Sequence, residues 1–191
     1  MNSNLSKSIL SAILLTLAWP MNGLSFLIFI AFVPLLQILY QKAEKKSKQT
    51  TAHFFLSFFL WNLGISWWIW NASAFGMFFA VLVNSSLMTV VFMLSRMVIR
   101  KLSIQAGLLF LTTFWISFEL LHLHWDFSWP WLQLGNVFSE TTSWIQWYEY
   151  TGVFGGTLWI LVVNLFVFNF LNTELKELNR KIIISKVCES I

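Results

Sequence analysis

Charge is what this 191-residue chain has least of: Lys, Arg, Asp and Glu together make up 10% of it. A soluble domain carries about a quarter charged residues, spread so that every element can turn one face to water. Here long stretches carry none, and bulk water is excluded as the solvent for most of the chain. Cysteine is nearly missing as well. The single Cys188 permits no disulfide framework and leaves the redox compartment unread. A phosphate-cradling Gly-rich loop, a GxSxG elbow and paired cysteines are also lacking, so the common signatures of nucleotide binding and of serine or dithiol chemistry are not there.

What remains is apolar. Hydrophobic residues form 58% of the chain, with 20 Phe and 12 Trp, and the mean hydropathy is +0.71. Trp is favoured at the headgroup level of a bilayer. The net charge of +4 would suit nucleic acid only if the basic residues gathered on one folded surface. They sit instead in short clusters between apolar runs, so no nucleic-acid partner is expected, and nothing in the composition asks for a cofactor.

A helix needs about 20 mainly apolar residues to cross a hydrocarbon core of ~30 Å. The runs predict an all-α, polytopic membrane bundle of six spans, at Leu5–Trp19, Leu24–Tyr40, Ala52–Trp70, Met77–Ser95, Leu102–Leu121 and Gly152–Leu171. The first reaches only ~22 Å at 1.5 Å per residue, so it is the weakest. It is not read as a signal peptide, because no small-residue cleavage site follows and Trp19-Pro20 leads at once into another apolar run. A hairpin turning at Pro20-Met21-Asn22-Gly23 is expected instead.

All 12 basic residues fall on one side if the six spans cross. They are Lys7, then Lys42, Lys45, Lys46 and Lys48, then Arg96, Arg100 and Lys101, then Lys176, Arg180, Lys181 and Lys186. The positive-inside rule makes that side cytoplasmic, and with it the N-terminus. Residues 1–171 are thus expected to form the transmembrane domain and 172–191 a short basic cytoplasmic tail.

The outer segment His122–Tyr150 is too long for a tight turn and too apolar for a free loop. It carries Trp125, Trp129, Trp131, Trp144, Trp147, Tyr148 and Tyr150 among Asp126, Ser128, Asn136 and Glu140. Rings with polar tips beside single carboxylates suit a segment lying in the interface, either as an aromatic belt or as a platform facing lipid headgroups.

Single residues carry weaker signals, each with a plain counterpart. His122, His124 and Asp126 alternate, but an i, i+2 pair points to different helix faces and a third ligand is not evident. Two interfacial histidines are the simpler reading, and no metal site is expected. Glu119 ends a span after a long charge-free run. An intramembrane carboxylate is a functional hypothesis by default, whereas one at a helix end can simply reach water. Gly152 and Gly156, with Gly155 beside them, form a small-xxx-small pattern that lets another helix approach. Asn164 and Asn169, with Asn62 and Asn84 in other spans, read as interhelical hydrogen-bonding groups worth ~0.6–2 kcal/mol each. Cys188 lies without a neighbouring base and reads as an ordinary thiol.

The stretch Trp115–Gly135, WISFELLHLHWDFSWPWLQLG, goes further. It resembles the apolipoprotein N-acyltransferase family, in which a Trp and a Glu four residues later end a span and an aromatic-Pro-Trp-Leu-x-x-Gly element follows. Trp115, Glu119 and Trp129-Pro130-Trp131-Leu132-Gln133-Leu134-Gly135 fall in register. Gln146, Gly152 and Asn164 downstream, and Gly64, Trp67 and Phe75-Gly76 upstream, extend the likeness over nearly the whole chain. One departure is His122, where the family usually has Arg.

The resemblance implies an enzyme that moves an acyl chain from membrane phospholipid to the diacylglyceryl-cysteine of a lipoprotein in the bacterial inner membrane. It implies Glu119, Trp129, Pro130, Trp131, Gln133 and Asn136 as substrate- or lipid-facing residues, and Gly152, Gly156 and Asn164 as packing residues. It also implies that the chemistry belongs to a nitrilase-like domain with a Glu-Lys-Cys triad, placed after a seventh span. No catalytic residue of that triad has a match here. The expectation is therefore a membrane half ending before the seventh span and inactive alone, whether as truncation, split enzyme or incomplete sequence. A non-enzymatic lipid-binding scaffold and a small transporter remain as alternatives; the latter would show internal repeats and polar residues converging at the midplane, and no convincing repeat is present.

Overall fold

The computed structural model describes residues 3–20, 23–40, 47–126 and 130–189, with side chains described over 4–20, 23–40, 48–126 and 130–172. Every regular element among them is helical. Helix α1 spans Ser3–Ala18, a 3-10 turn covers Ser25–Leu27, and α2 (Ile28–Ala31) and α3 (Val33–Tyr40) follow. Next come α4 (Ser47–Ser66) with a 3-10 extension Trp67–Asn71, α5 (Ala74–Lys101) and α6 (Ile104–His124). Three 3-10 turns, Pro130–Leu132, Leu134–Phe138 and Thr142–Trp144, lead into α7 (Tyr148–Glu189).

Local chemistry sets the helix starts. Ser73 and Ser103 accept hydrogen bonds from the N–H groups of Gly76 at 3.0 Å and Ala106 at 3.1 Å, so α5 and α6 each open on a serine cap. Among the described residues four helices are long and apolar enough to cross a membrane: Lys48–Asn71, Ala74–Lys101, Ile104–His124 and Tyr148–Asn172. The apolar helices Asn4–Ala18 and Ser25–Tyr40 are shorter. Six expected spans thus resolve into four of spanning length and two short ones.

The second short segment is not one rod. Pro34 supplies no N–H, and the helix breaks at Phe32. The Phe32 N–H, which would bond the Ile28 carbonyl in an unbroken helix, donates instead to Asn164 Oδ1 at 2.9 Å, and Asn164 Nδ2 donates to Ile28 O at 2.8 Å. One amide from α7 is inserted into the helical ladder, so the break costs no buried backbone partner. Gly23 closes the chain back on Pro20 at 3.2 Å with a φ of 66°. Met21 and Asn22 of that turn, the basic cluster Lys42, Lys45 and Lys46, and Ser128 lie outside the described residues.

The core is aromatic. Phe32, Phe54, Phe58, Phe92 and Trp115 are fully buried, with ring centroids 5.1 Å apart for Phe54–Phe92, 5.2 Å for Phe58–Phe92 and 5.3 Å for Phe32–Trp115. In lipid such packing stabilises by shape and dispersion, since hydrocarbon outside is as apolar as the core.

Three expectations change. The outer segment does not simply lie in the interface: Leu132, Leu134, Val137 and Phe138 are buried, and its second turn packs on α7. Gly152 is not a helix-contact glycine, because a Cβ there would meet nothing within 4 Å. It carries φ 63° and ψ −169° and kinks α7, a conformation open in practice only to glycine. Gly156 gives room to the Tyr148 ring of its own segment rather than to a separate helix. Past the kink α7 runs on to Glu189.

Candidate functional site: a buried carboxylate beneath an aromatic rim

Trp115 and Glu119 lie one turn apart on the inward face of α6, where i and i+4 side chains meet. The Trp115 indole N–H donates to Glu119 Oε1 at 3.0 Å. Leu134 N–H donates to the same oxygen at 2.8 Å. Thr157 on α7 donates its hydroxyl proton to Oε2 at 2.7 Å and itself accepts from Gly135 N–H at 3.1 Å. Tyr148 completes the bracket by donating to Gly135 O at 2.9 Å.

Glu119 is 2% exposed. The carboxylate expected to face substrate or reach water at the helix end is therefore turned inward. Its two oxygens accept three hydrogen bonds, which is the compensation a buried carboxylate requires. It ties the backbone of the Pro130–Phe138 stretch to α6 and α7. Gly135 allows this closeness, since a Cβ there would collide with the Val153 carbonyl. Hydroxyl and carboxylate are each committed to a structural partner, so the cluster braces backbone.

The other expected residues separate. Asn136 donates to Pro130 O at 2.8 Å and Gln133 N–H donates to the same oxygen at 3.2 Å, closing a tight turn. Gln133 itself is buried, not lipid-facing. Trp129 lies outside the described residues. Trp131 is the one that faces outward, 42% exposed, with its ring 6.0 Å from that of Trp68. Trp67 and Trp70 on the 3-10 extension of α4, and Phe75 and Phe78 at the start of α5, are exposed as well. The rim stands at the end of the bundle opposite Lys48, Arg96, Arg100 and Lys101, because α4, α5 and α6 alternate in direction through short connections.

The two histidines part company. His122 is buried edge-on between Phe118 and Trp125, with centroids 4.7 and 5.0 Å away, whereas His124 is exposed. The interfacial pair expected from the sequence is thus one buried ring and one surface ring. Among the described residues no three potential ligands gather around a metal position. Cys188 falls on α7, where only the backbone is described.

Residues 11–166 match the sequence profile described as the apolipoprotein N-acyltransferase N-terminal domain. The chain belongs to that family. The match takes in every group of the Glu119 cluster and the Asn164 insertion. An apolipoprotein N-acyltransferase of Chlorobaculum tepidum is 30% identical over 162 residues, which are 83% of this chain and 30% of that protein. The chain thus spans less than a third of the curated relative it matches. No solved structure matches the chain.

Two members of the cluster escaped sequence reasoning. Thr157 looks like any small polar residue in a span, and a backbone N–H such as that of Leu134 has no sequence signature at all. Trp115 was legible, through the family resemblance that sets a Trp four residues before Glu119.

Proposed function

We propose that this chain is the lipid-handling membrane domain of an apolipoprotein N-acyltransferase, multi-pass in the bacterial inner membrane with a cytoplasmic N-terminus. In this reading it presents phospholipid as acyl donor, and a diacylated lipoprotein as acceptor, to a nitrilase-like catalytic domain that supplies the Glu-Lys-Cys chemistry outside these 191 residues. Family membership supports the class of reaction. The observation that carries the reading is the exposed Trp131–Trp68 pair, held on a turn whose backbone is pinned by buried Glu119.

An indole offers a broad, rigid apolar face for an acyl chain. Pinning matters because a contact surface held rigid loses little entropy on binding. The buried Glu119 and the exposed Trp131 therefore have different roles, one positioning and one contacting.

The test uses a full-length family member carrying the same Pro-Trp-Leu-Gln-Leu-Gly element. Replacing the Trp that corresponds to Trp131 by Ala should lower phospholipid-dependent acylation of a diacylated lipopeptide about tenfold, equivalent to ~1.4 kcal/mol, with insertion and protein level unchanged. Unaltered acylation, or loss of the protein itself, would make Trp131 a structural residue and remove the support for this reading.

A further inference from the structure

Behind the pinned turn lies a small cavity, lined in part by Glu119 itself. Asn84 of α5, His122 of α6 and Gln133 of the turn supply its polar wall, and Met88, Phe118 and Leu132 its apolar one. The space open to the centre of a water molecule is about 10 Å3, close to the minimum that admits one. The three polar side chains are 3%, 5% and 4% exposed. Each keeps a buried atom with no partner in the protein: Asn84 Oδ1, both ring nitrogens of His122, and Gln133 Nε2.

The direction of the Asn84 amide is set by its neighbours. Its Nδ2 donates to Asn62 Oδ1 at 2.9 Å, while Asn62 Nδ2 donates to Phe58 O at 2.8 Å. Asn84 Oδ1 is therefore the acceptor left over. Gln133 Nε2 is a donor, and a neutral His122 offers one of each. An anion is refused by the Asn84 acceptor and by the Glu119 carboxylate, and the space holds nothing larger than one water. The set fits a ligand of water size that gives and takes hydrogen bonds at once.

We infer that this cavity is a binding site for one ordered water, bridging Asn84, His122 and Gln133 and so joining α5, α6 and the Pro130–Gln133 turn. Buried polar atoms with no partner cost free energy individually, and a single bridging water relieves several of them. Either amide orientation of Gln133 is satisfied, because water serves equally as acceptor or donor. The site gives the turn that carries Trp131 a second anchor, on α5, beside Glu119, and it does not depend on any role in acyl transfer.

X-ray radiolytic footprinting of the full chain in detergent micelles tests this, because hydroxyl radicals form from bound water in place and oxidise the adjoining side chain. Met88, 1% exposed, touches the cavity, and Met77, 5% exposed, does not. Met88 should oxidise several-fold faster than Met77 despite its deeper burial. Asn84→Leu should bring the Met88 rate down to that of Met77 and leave Met77 unchanged. A Met88 no faster than Met77 in the unaltered chain overturns the inference, and that comparison needs no variant to fold. A Met88 rate that survives Asn84→Leu, with Met77 still protected, overturns it too.

Discussion

A side chain such as Glu119 is read from sequence as an exception to a rule, a carboxylate where lipid should be. Its meaning depends on what donates to it. Its i+4 spacing from Trp115 was visible in the sequence, and one of the three hydrogen bonds follows from that spacing. The other two come from residues 15 and 38 positions away, a separation that no local pattern encodes. For the same reason Gln133 and His122 read as interfacial groups although both are buried: polarity in a sequence does not report which way a chain turns. Thr157 makes the argument testable. Thr157→Val keeps the shape of the side chain but leaves Oε2 without its donor and Gly135 N–H without its acceptor. Leaving buried polar groups unsatisfied costs about 1–3 kcal/mol, so Thr157→Val should lower the thermal midpoint in detergent. Thr157→Ser keeps both hydrogen bonds and should lie close to the original. Equal midpoints for Val and the native chain would show that the cluster contributes nothing to stability.

Among the elements, long apolar runs were legible because a spanning helix needs little beyond length and the absence of charge. The expected spans at Met77–Ser95 and Leu102–Leu121 fall inside or against α5 and α6 for that reason. Breaks were not legible. The interruption at Phe32 depends on Asn164 more than a hundred residues away, and the kink at Gly152 looks in sequence like a packing motif. Both glycine readings use the missing side chain, but only the backbone angles tell a close approach from a conformational need. At φ 63° and ψ −169° even Asn, which tolerates ordinary left-handed turns, is disfavoured. Gly152→Ala and Gly152→Asn should therefore both destabilise the protein by about 1–3 kcal/mol, although the site has open space around it. If Ala were tolerated without loss in a detergent unfolding assay, the kink would not be a feature of the folded chain.

For the whole molecule, orientation follows from charge rather than from packing. The bundle alternates direction through α4, α5 and α6, which brings Lys48, Arg96, Arg100 and Lys101 to one end and the aromatic rim with Trp131 and Glu140 to the other. Helix packing is indifferent to which end faces the cytoplasm. Moving basic loops outward is not, since retained Lys and Arg near span ends set topology. Residues Trp125 to Tyr150 are therefore expected outside the cytoplasmic membrane, where the rim would meet outer-leaflet headgroups, and residues 42–48 inside. With Cys188 replaced by Ser, single cysteines at Lys46→Cys and Glu140→Cys separate the two ends. In intact spheroplasts an impermeant maleimide should label the cysteine at 140, which replaces an exposed side chain, and should label the one at 46 only after lysis. The reverse pattern would invert the molecule and put the aromatic rim on the inner leaflet, away from any extracytoplasmic acceptor. Labelling of both positions before lysis, in cells whose cytoplasmic control thiol stays protected, would mean that the bundle does not separate its two ends across the membrane.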